Sequence, residues 1–360
     1  MRQPGVGAAV RGAPTGVEVD AHPESRVHNS QPHGIGRVAA LDGMFAWNNL
    51  GRNVIFAGAD MRPRAVFDES AFVEDEPSQY DLDVHAILEI PSAGLVVTLN
   101  HLGMLRAFSA DAIRRPGPLR RVAPRWTRTL MADVERAVVL GDRIAGSRPR
   151  EDGAPGLFIT ERLSARDDAG PLATRVQLEA HGMVTALASF LDGAAECLAF
   201  GGGGKVGLVP ATVDGLGPPR WTVDVDFEPS MVLWDGACVW AAGTDRVVNA
   251  IDDYDWEALH GGGFAALDAS NGHVRVRGRF AEDLAWGNGG VPLALVGGTL
   301  CGIGRRGQLY TFDTCDGSLL GTSAAIADAS LGIAHAAALG DHLLYGFNRG
   351  GYRLYASGTA

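Results

Sequence analysis

The sequence lacks a hydrophobic run long enough to cross a membrane, since no stretch reaches the roughly 18 uninterrupted apolar residues that a spanning helix needs. Its first 30 residues contain no apolar core, so they do not resemble a signal peptide. Basic residues are the minority: 31 lysines and arginines against 42 acidic residues leave a net charge of −11. General affinity for nucleic acid or for an anionic membrane is therefore not expected. We expect a cytoplasmic protein that binds neither.

Cysteine is scarce as well, with four in the chain and no Cys-x-x-Cys pair. Cys197, Cys238 and Cys301 each follow a glycine-containing turn and open a short strand of small residues. Equivalent positions in successive repeats predict small buried side chains rather than disulfide partners. This pattern fits a reducing compartment. The sequence contains no Gly-x-Ser-x-Gly motif, so the nucleophile elbow of α/β-hydrolases is not expected.

Glycine, by contrast, is abundant, with 49 residues, which is about twice the ordinary share. It recurs in two kinds of turn. Asn-x-x-Gly turns follow short apolar strands at residues 48–51, 100–103 and 348–351. Asp-x-x-x-Gly turns follow alternating apolar residues at 268–272 and 313–317, which predicts strands that enter tight hairpins. We assign the glycine surplus to the turns of a repeat.

Apolar runs mark the first strand of each repeated unit, and they are spaced by roughly 40 to 60 residues, which suits four-stranded blades. They begin near Arg37, His85, Glu135, Val184, Ser230, Val291 and Ile333. We predict an all-β, seven-bladed β-propeller of four-stranded antiparallel blades over residues 33–360, after a partly disordered arm at 1–32. The last unit has room for only three strands, so residues 16–20 are predicted to close the ring. The one predicted helix covers residues 252–259.

Several of these segments resemble known propeller repeats. Leu99-Asn100 and Phe347-Asn348, each after an apolar strand, resemble the Tyr-Val-Thr-Asn (YVTN) repeats of bacterial propellers. The segments that end at Gly272 and Gly317 resemble the repeats of quinoprotein-like propellers, and residues 32–35 resemble strand starts in lyase- and lactonase-type propellers. The resemblance covers most of residues 33–357 and implies the propeller architecture.

The same resemblance bears on the cofactor. Quinoprotein dehydrogenases of that superfamily are usually exported, and they often carry adjacent cysteines over the quinone PQQ. This chain has no adjacent cysteines, and we expect no export signal. PQQ is therefore not expected as a cofactor.

In a propeller, the starts of the inner strands and the turns between the second and third strands surround one mouth of the central channel. Every unit has a cation or a histidine in that turn: Arg52, His101, Arg148 with Arg150, Lys205, Arg246, Arg305 with Arg306, and Arg349. Clustered cations between low-dielectric walls attract an anion. We predict that a small anionic molecule is bound by Arg52, His101, Arg148, Arg305 and Arg349. The alternative is a set of ordinary solvated turn residues.

Histidines lie just before or within the first residues of several predicted inner strands, at His33, His85, His181 and His335. Imidazole nitrogens that converge from separate blades bind divalent metals, so we predict a metal held by His85, His181 and His335. Glu135 takes the place in residues 133–135 that His85 takes in residues 83–85. We assign Glu135 and His85 as the catalytic residues. The alternative is that these histidines bond to neighbouring blades and hold no ligand.

The fifth unit has a long insertion between Gly243 and Gly261. Long loops on compact domains are often lids or binding loops, so Tyr254 and Trp256 are predicted to cover a ligand at the channel mouth. Acids at positions 253, 255 and 257 superficially match a calcium loop but lack its glycine. A capped amphipathic helix is the interpretation that we adopt.

Two functions are compatible with these predictions. The first is an enzyme of the lyase, isomerase or hydrolase type that acts on an anionic organic substrate at the channel mouth by metal-assisted acid/base chemistry. The alternative is a non-catalytic propeller, a scaffold that binds a protein partner or senses a ligand. The metal content of the purified protein distinguishes them.

Overall fold

The structure is a computed structural model. It describes residues 35–49, 53–68, 84–100, 103–130, 134, 136–148, 156–165, 174–179, 184–245, 262–280, 293–296, 299–303, 309–322, 333–340, 342–347 and 351–356. Strands dominate this part of the chain and form seven sheets. The helical elements are one short α-helix, α1 (Ala110–Arg114), and a 3₁₀ turn at Pro91–Ala93. No helix in the described ranges is long and apolar enough to cross a membrane.

The first two sheets share one connecting segment. Sheet 1 contains β1 (Ile35–Leu41), β2 (Met44–Asn49), β3 (Asn53–Gly58), β4 (Pro63–Asp68) and the short β8 (Arg120–Arg121). Sheet 2 contains β5 (Val84–Ile90), β6 (Leu95–Asn100), β7 (Met104–Ser109) and β9 (Trp126–Thr129). The chain between β7 and β9 therefore leaves sheet 2, passes through α1 and pairs parallel to the outer strand of sheet 1. All other strand pairs of these two sheets are antiparallel.

The next two sheets are antiparallel throughout. Sheet 3 contains β10 (Arg136–Leu140), β11 (Arg143–Arg148), β12 (Gly156–Thr160) and β13 (Thr174–Glu179). Sheet 4 contains β14 (Ala186–Asp192), β15 (Ala195–Gly202), β16 (Lys205–Thr212), the two-residue β17 (Gly215–Leu216) and β18 (Trp221–Asp224). Both β17 and β18 pair with β16.

The last three sheets are antiparallel meanders. Sheet 5 contains β19 (Glu228–Trp234), β20 (Cys238–Thr244), β21 (Gly263–Asp268) and β22 (Val274–Arg279). Sheet 6 contains β23 (Leu293–Val296), β24 (Thr299–Ile303), β25 (Leu309–Asp313) and β26 (Leu319–Thr322). Sheet 7 contains three described strands, β27 (Ile333–Leu339), β28 (His342–Phe347) and β29 (Gly351–Ala356).

The sheets pack side by side in chain order. The first strand of each sheet, called the inner strand below, contacts the inner strand of the next sheet, and β27 also contacts β1. Seven hydrophobic clusters of described residues fill the spaces between consecutive sheets, including the space between sheet 7 and sheet 1. In that last cluster Phe45, Trp47 and Ile55 meet Ala337 and Leu344. Each sheet thus buries both of its faces against neighbours, which is the main source of stability.

The repeat predicted from the sequence matches the observed strands closely. All seven inner strands begin within two residues of their predicted starts. Gly272 and Gly317 close their Asp-x-x-x-Gly turns with φ of 74°, a left-handed conformation that favours glycine. Hydrogen bonds from Ser270 and the ion pair with Arg275 lower the pKa of Asp268 to about 2. The turn chemistry was therefore correctly predicted.

A tryptophan joins sheet 4 to the first of these turns. The Trp221 side chain lies in the cluster between sheets 4 and 5 and is 8% exposed. Its Nε1 donates a hydrogen bond to the carbonyl oxygen of Ala269, at 2.9 Å. The indole ring also covers Gly272, where a Cβ atom would lie 2.9 Å from Trp221 Cδ2. One side chain thus fixes the outer strand of sheet 4 against sheet 5.

The assignment of the glycine surplus to turns was only partly correct. Several glycines lie inside strands, directly opposite a phenylalanine of the neighbouring strand: the pairs are Gly146 with Phe158, Gly207 with Phe200, and Gly278 with Phe264. The rings cover these glycines, since an added Cβ would lie between 2.5 and 2.8 Å from Cε1 in each case. Glycine is needed there for space rather than for backbone freedom.

The helix prediction was also incomplete, because α1 was not predicted. A five-residue helix is too short for an amphipathic period, and its signal is one cap: Ser109 Oγ accepts from Ala112 N at 3.4 Å. The predicted closing strand at residues 16–20 and the predicted helix at 252–259 lie outside the described residues.

The prediction for the cysteines is confirmed. Cys197, Cys238 and Cys301 are buried in strands β15, β20 and β24, and all four cysteines are free thiols. Burial raises the pKa of each of these three, to about 12 for Cys301. Cys315 is exposed in the turn of sheet 6, where a hydrogen bond with Asp313 raises its pKa.

We expect thiol labelling of the folded protein at pH 8 to modify Cys315 alone, because Cys315 is exposed whereas the other three thiols are buried and inaccessible to the reagent. Mass spectrometry after a short maleimide pulse measures this, and urea should release the remaining three. Cys315→Ser is the control and should remove the fast label. A second thiol that reacts as fast as Cys315 would contradict the packing of the cluster that contains it, which lies between sheets 4 and 5 for Cys197, 5 and 6 for Cys238, and 6 and 7 for Cys301.

Candidate site at the starts of the inner strands

Most inner strands begin with an irregularity. The strand register shifts between Ile35 and Val38 in β1, between Val84 and Ala86 in β5, between Pro229 and Met231 in β19, and between Ile333 and His335 in β27. A bulge leaves one residue without a cross-strand partner and redirects its side chain. Side chains at these positions are therefore aimed differently from those of the regular strand that follows.

The bulge residues and their equivalents are mostly polar. Arg37, His85 and Ser230 lie at bulges and are half-buried. Val84, Val134 and Val184 each pack against the preceding sheet, so they mark equivalent positions in sheets 2, 3 and 4. The residues that follow these valines are His85, Glu135 and Thr185. This supports the predicted equivalence of Glu135 with His85, although Glu135 lies outside the described residues.

Hydrogen bonds link the starts of three successive inner strands. Arg136 Nε, at the start of β10, donates to the carbonyl oxygen of Thr185 at 2.8 Å. Thr185 Oγ1 in turn donates to the carbonyl oxygen of Pro229 in β19. Glu228, the first residue of β19, accepts a hydrogen bond from Gly203 N in the β15–β16 turn at 2.6 Å. Strand starts and second-to-third-strand turns therefore lie at the same end of the sheets, as predicted.

The backbones at this end approach one another closely. A Cβ atom on Gly243 would overlap the Glu228 carbonyl oxygen and lie 2.9 Å from Pro229 Cα. A Cβ atom on Gly201 would lie 2.7 Å from Pro229 Cβ. The site is thus built on packed backbone, which fixes the directions of the side chains that it carries.

The predicted metal ligands do not share one register position. His85 is the bulge residue of β5, whereas His335 stands opposite Gly346, one residue after the bulge of β27. The residue of β5 that corresponds to His335 is Ala86, opposite Leu99. His181 and the side chain of His335 lie outside the described residues. Within the described part of the chain, no three histidine, cysteine or acidic side chains are grouped to hold a metal.

The predicted anion-binding residues lie mostly beyond the described ranges. Arg148 ends β11 opposite Gly156, but only its backbone is described. Outside the described residues lie Arg52, His101, Tyr254, Trp256, Arg305 and Arg349. Lys205, the turn cation of sheet 4, pairs with Asp224 at 2.7 Å, so its charge is offset locally. The anion site therefore stays a prediction for the remaining turns.

Three polar residues at the strand starts were missed as site candidates, namely Arg37, Thr185 and Ser230. In the sequence Arg37 and Ser230 only mark strand starts, and Thr185 follows the strand start at Val184, because a bulge cannot be read directly from a single sequence. A usable signal existed: a polar residue follows a buried Val or Pro at four successive strand starts, in Val-His, Val-Glu, Val-Thr and Pro-Ser.

A pocket of about 250 Å³ lies at the opposite end, between sheets 3 and 4. Its charged lining residues are Arg143, Glu161, Arg162 and Asp214. Glu161 is paired with Arg128 at 2.8 Å, and Arg143 donates to the carbonyl oxygen of Thr212 at 3.1 Å. Several of the lining groups are thus engaged with the protein itself.

Comparisons with known proteins identify the fold class. No protein-family model matches the chain, and no curated protein matches it in sequence. The β-propeller domain of Cps50 (Swd1) from Myceliophteria thermophila is 10% identical, with a TM-score of 0.57, over 90% of this chain and 99% of that one. The computationally designed Ika8 protein is 11% identical, with a TM-score of 0.54, over 91% of this chain and 84% of that one. The chain therefore has an all-β fold of the β-propeller type.

Proposed function

We propose that the seven sheets are the blades of one closed, seven-bladed propeller. Support comes from the seven interlocking clusters and from the contact between β27 and β1. Sheet 7 has three described strands, so residues 16–20 are proposed as its fourth. We also propose that the repeats are of the YVTN and quinoprotein-like type, with lyase- and lactonase-type propellers nearest in repeat style. A cytoplasmic location is a further part of the proposal.

We propose that the inner-strand starts form a binding site for a small anionic organic molecule. The observation that carries this is the succession of polar residues at the inner-strand starts: Arg37, His85 and Ser230 lie at bulges, Thr185 lies directly before β14, and all four are half-buried. The Arg37 guanidinium and the His85 imidazole are groups of the kind that donate hydrogen bonds to a carboxylate or phosphate. Arg52, His101, Arg148, Arg305 and Arg349 add positive charge from the turns, and Tyr254 with Trp256 covers the ligand.

We further propose an enzyme of the lyase, isomerase or hydrolase type. In this proposal His85 and Glu135 act as the acid/base pair, because each follows a buried valine at the start of its unit, and an imidazole and a carboxylate there would exchange protons with a bound substrate. A divalent metal held by His85, His181 and His335 would supply Lewis acidity, and this site requires the His335 side chain to reach the metal from one residue further along its strand than His85. PQQ is not part of this proposal.

We expect purified protein to contain close to one divalent metal per chain, measured by inductively coupled plasma mass spectrometry. His85→Ala should lower that content at least about tenfold, because the loss of one of three imidazoles removes a large share of metal affinity. His273→Ala is the matched control, since His273 is exposed in the turn between β21 and β22. It should leave the metal content unchanged.

The ligand arm of the same experiment uses thermal unfolding in a panel of small carboxylates and phosphates. An anion that binds the folded state should raise the thermal unfolding midpoint of the native protein and of His273→Ala by the same amount. The rise should be smaller in His85→Ala. Absence of metal together with identical shifts in all three proteins would reject both the metal and the site.

A further inference from the structure

The connection between sheets 1 and 2 is strongly basic. Residues 114–128 contain six arginines and no acidic residue, in a chain whose net charge is −11. These are Arg114, Arg115, Arg120, Arg121, Arg125 and Arg128. The segment begins at the end of α1, contains β8 and enters β9, so it lies along the outer strands of the two sheets. Its strands β8 and β9 lie at the opposite edges of sheets 1 and 2 from the inner strands β1 and β5.

Half of these arginines hold the protein together. Arg114 forms an ion pair with Glu89 on β5, and Arg128 Nη2 lies 2.8 Å from Glu161 Oε1. Arg120 donates to three backbone carbonyl oxygens of residues 112–116. Their charges and donors are therefore used in the fold.

The other half is available to a partner. Arg115, Arg121 and Arg125 are exposed, and none of them forms an ion pair within the described residues. We call these three side chains the arginine surface. Unpaired guanidinium groups grouped on one segment give a local positive potential that opposes the net charge of the chain.

The backbone that carries the arginine surface is fixed. Val122 N donates to the carbonyl oxygen of Val66 at 2.9 Å, and Arg125 N donates to that of Ala107 at 2.6 Å. The next residue, Trp126, is buried and donates from Nε1 to the carbonyl oxygen of Ser164 at 3.3 Å. Three prolines in residues 116–124 limit the backbone further. A partner therefore loses little free energy to ordering this segment.

We propose that the arginine surface binds a short acidic segment of a protein partner. Guanidinium groups bind aspartate and glutamate carboxylates through paired hydrogen bonds, which gives both charge complementarity and geometry. A long polyanion such as nucleic acid would extend past three arginines onto a negatively charged chain, where it is repelled. This inference goes beyond the channel-mouth site and belongs to the scaffold function that the sequence left open as an alternative.

The test measures fluorescence anisotropy of a labelled glutamate decapeptide titrated with the full chain. Binding should weaken strongly between about 50 and 300 mM salt, because the contacts are exposed ion pairs. The triple variant R115Q/R121Q/R125Q should raise Kd at least about tenfold. R162Q/R220Q/R277Q removes three exposed arginines of sheets 3, 4 and 5, of which Arg162 pairs with Asp142 and Arg220 with Asp192, and it changes the net charge equally, so it is the charge-matched control. It should change Kd less than about twofold.

Three results would overturn the proposal. The native chain does not bind the decapeptide at low salt, or both triple variants weaken binding equally, or a thymidine decanucleotide binds as tightly as the peptide and is lost in the same variant. Circular dichroism and the thermal midpoint establish that both variants are folded. Metal content and anion-induced shifts should be native in R115Q/R121Q/R125Q, so failure here is separable from failure of the channel-mouth site.

Discussion

Gly243→Ala is expected to destabilise the protein by more than about 3 kcal/mol, at or beyond the upper end for overpacked sites. The added methyl group would overlap the Glu228 carbonyl oxygen and lie 2.9 Å from Pro229 Cα. Both obstacles are backbone atoms, so no side-chain rotation relieves the overlap. Urea unfolding followed by tryptophan fluorescence measures the change in the free energy of unfolding.

Gly193→Ala is the matched control for this experiment. Gly193 has a φ of 64° but no atom near a Cβ position, so its substitution tests backbone conformation alone and should cost about 1 kcal/mol. If Gly243→Ala costs no more than Gly193→Ala, then β20 does not approach the start of β19 as closely as described. The description of the candidate site as built on closely packed backbone would then be wrong.

Trp221→Ala carries the second largest expected effect, about 3 to 5 kcal/mol, as for other buried aromatic truncations. The substitution removes a ring from the cluster between sheets 4 and 5 and leaves the Ala269 carbonyl oxygen without its indole donor. Trp221→Phe keeps an aromatic ring over Gly272 and should cost only about 1 to 2 kcal/mol. Thermal and urea unfolding of the three proteins measure both changes.

Trp234→Ala provides the comparison, since Trp234 is half-buried and stacks on Phe190 with ring centroids 4.1 Å apart. It should destabilise the protein less than Trp221→Ala does. Equal losses for the two alanine variants would mean that the hydrogen bond and the contact with Gly272 add nothing to ordinary burial.

The features that could be predicted from the sequence are those encoded locally and repeated. The start of β5 at Val84 follows from an apolar run, and the turn at Gly272 follows from Asp-x-x-x-Gly chemistry. Because the units repeat, an error in placing the strands of one unit is limited by the spacing of the others, and the order of the strands was predictable. The burial of Cys197, Cys238 and Cys301 was predictable because they occupy equivalent positions in successive units.

The features that escaped prediction depend on contacts between units. The parallel pairing of β8 with β4 joins residues 120–121 to 65–66, and nothing in either segment alone specifies it. The different register of His85 and His335 depends on where each bulge falls, and a shift of one residue moves a side chain to the other face of a strand. The glycines that lie opposite phenylalanine within strands could not be told from turn glycines, because their role depends on a cross-strand contact.

The cluster between sheet 7 and sheet 1 has a consequence for how the chain folds. Six clusters join sheets that are consecutive in the chain, whereas this one brings β27 against β1, across about 300 residues of sequence. The entropy lost in closing so long a loop is repaid only when that cluster forms. We therefore expect neighbouring sheets to assemble by short steps, and the meeting of the first and seventh sheets to be the slow step that completes folding.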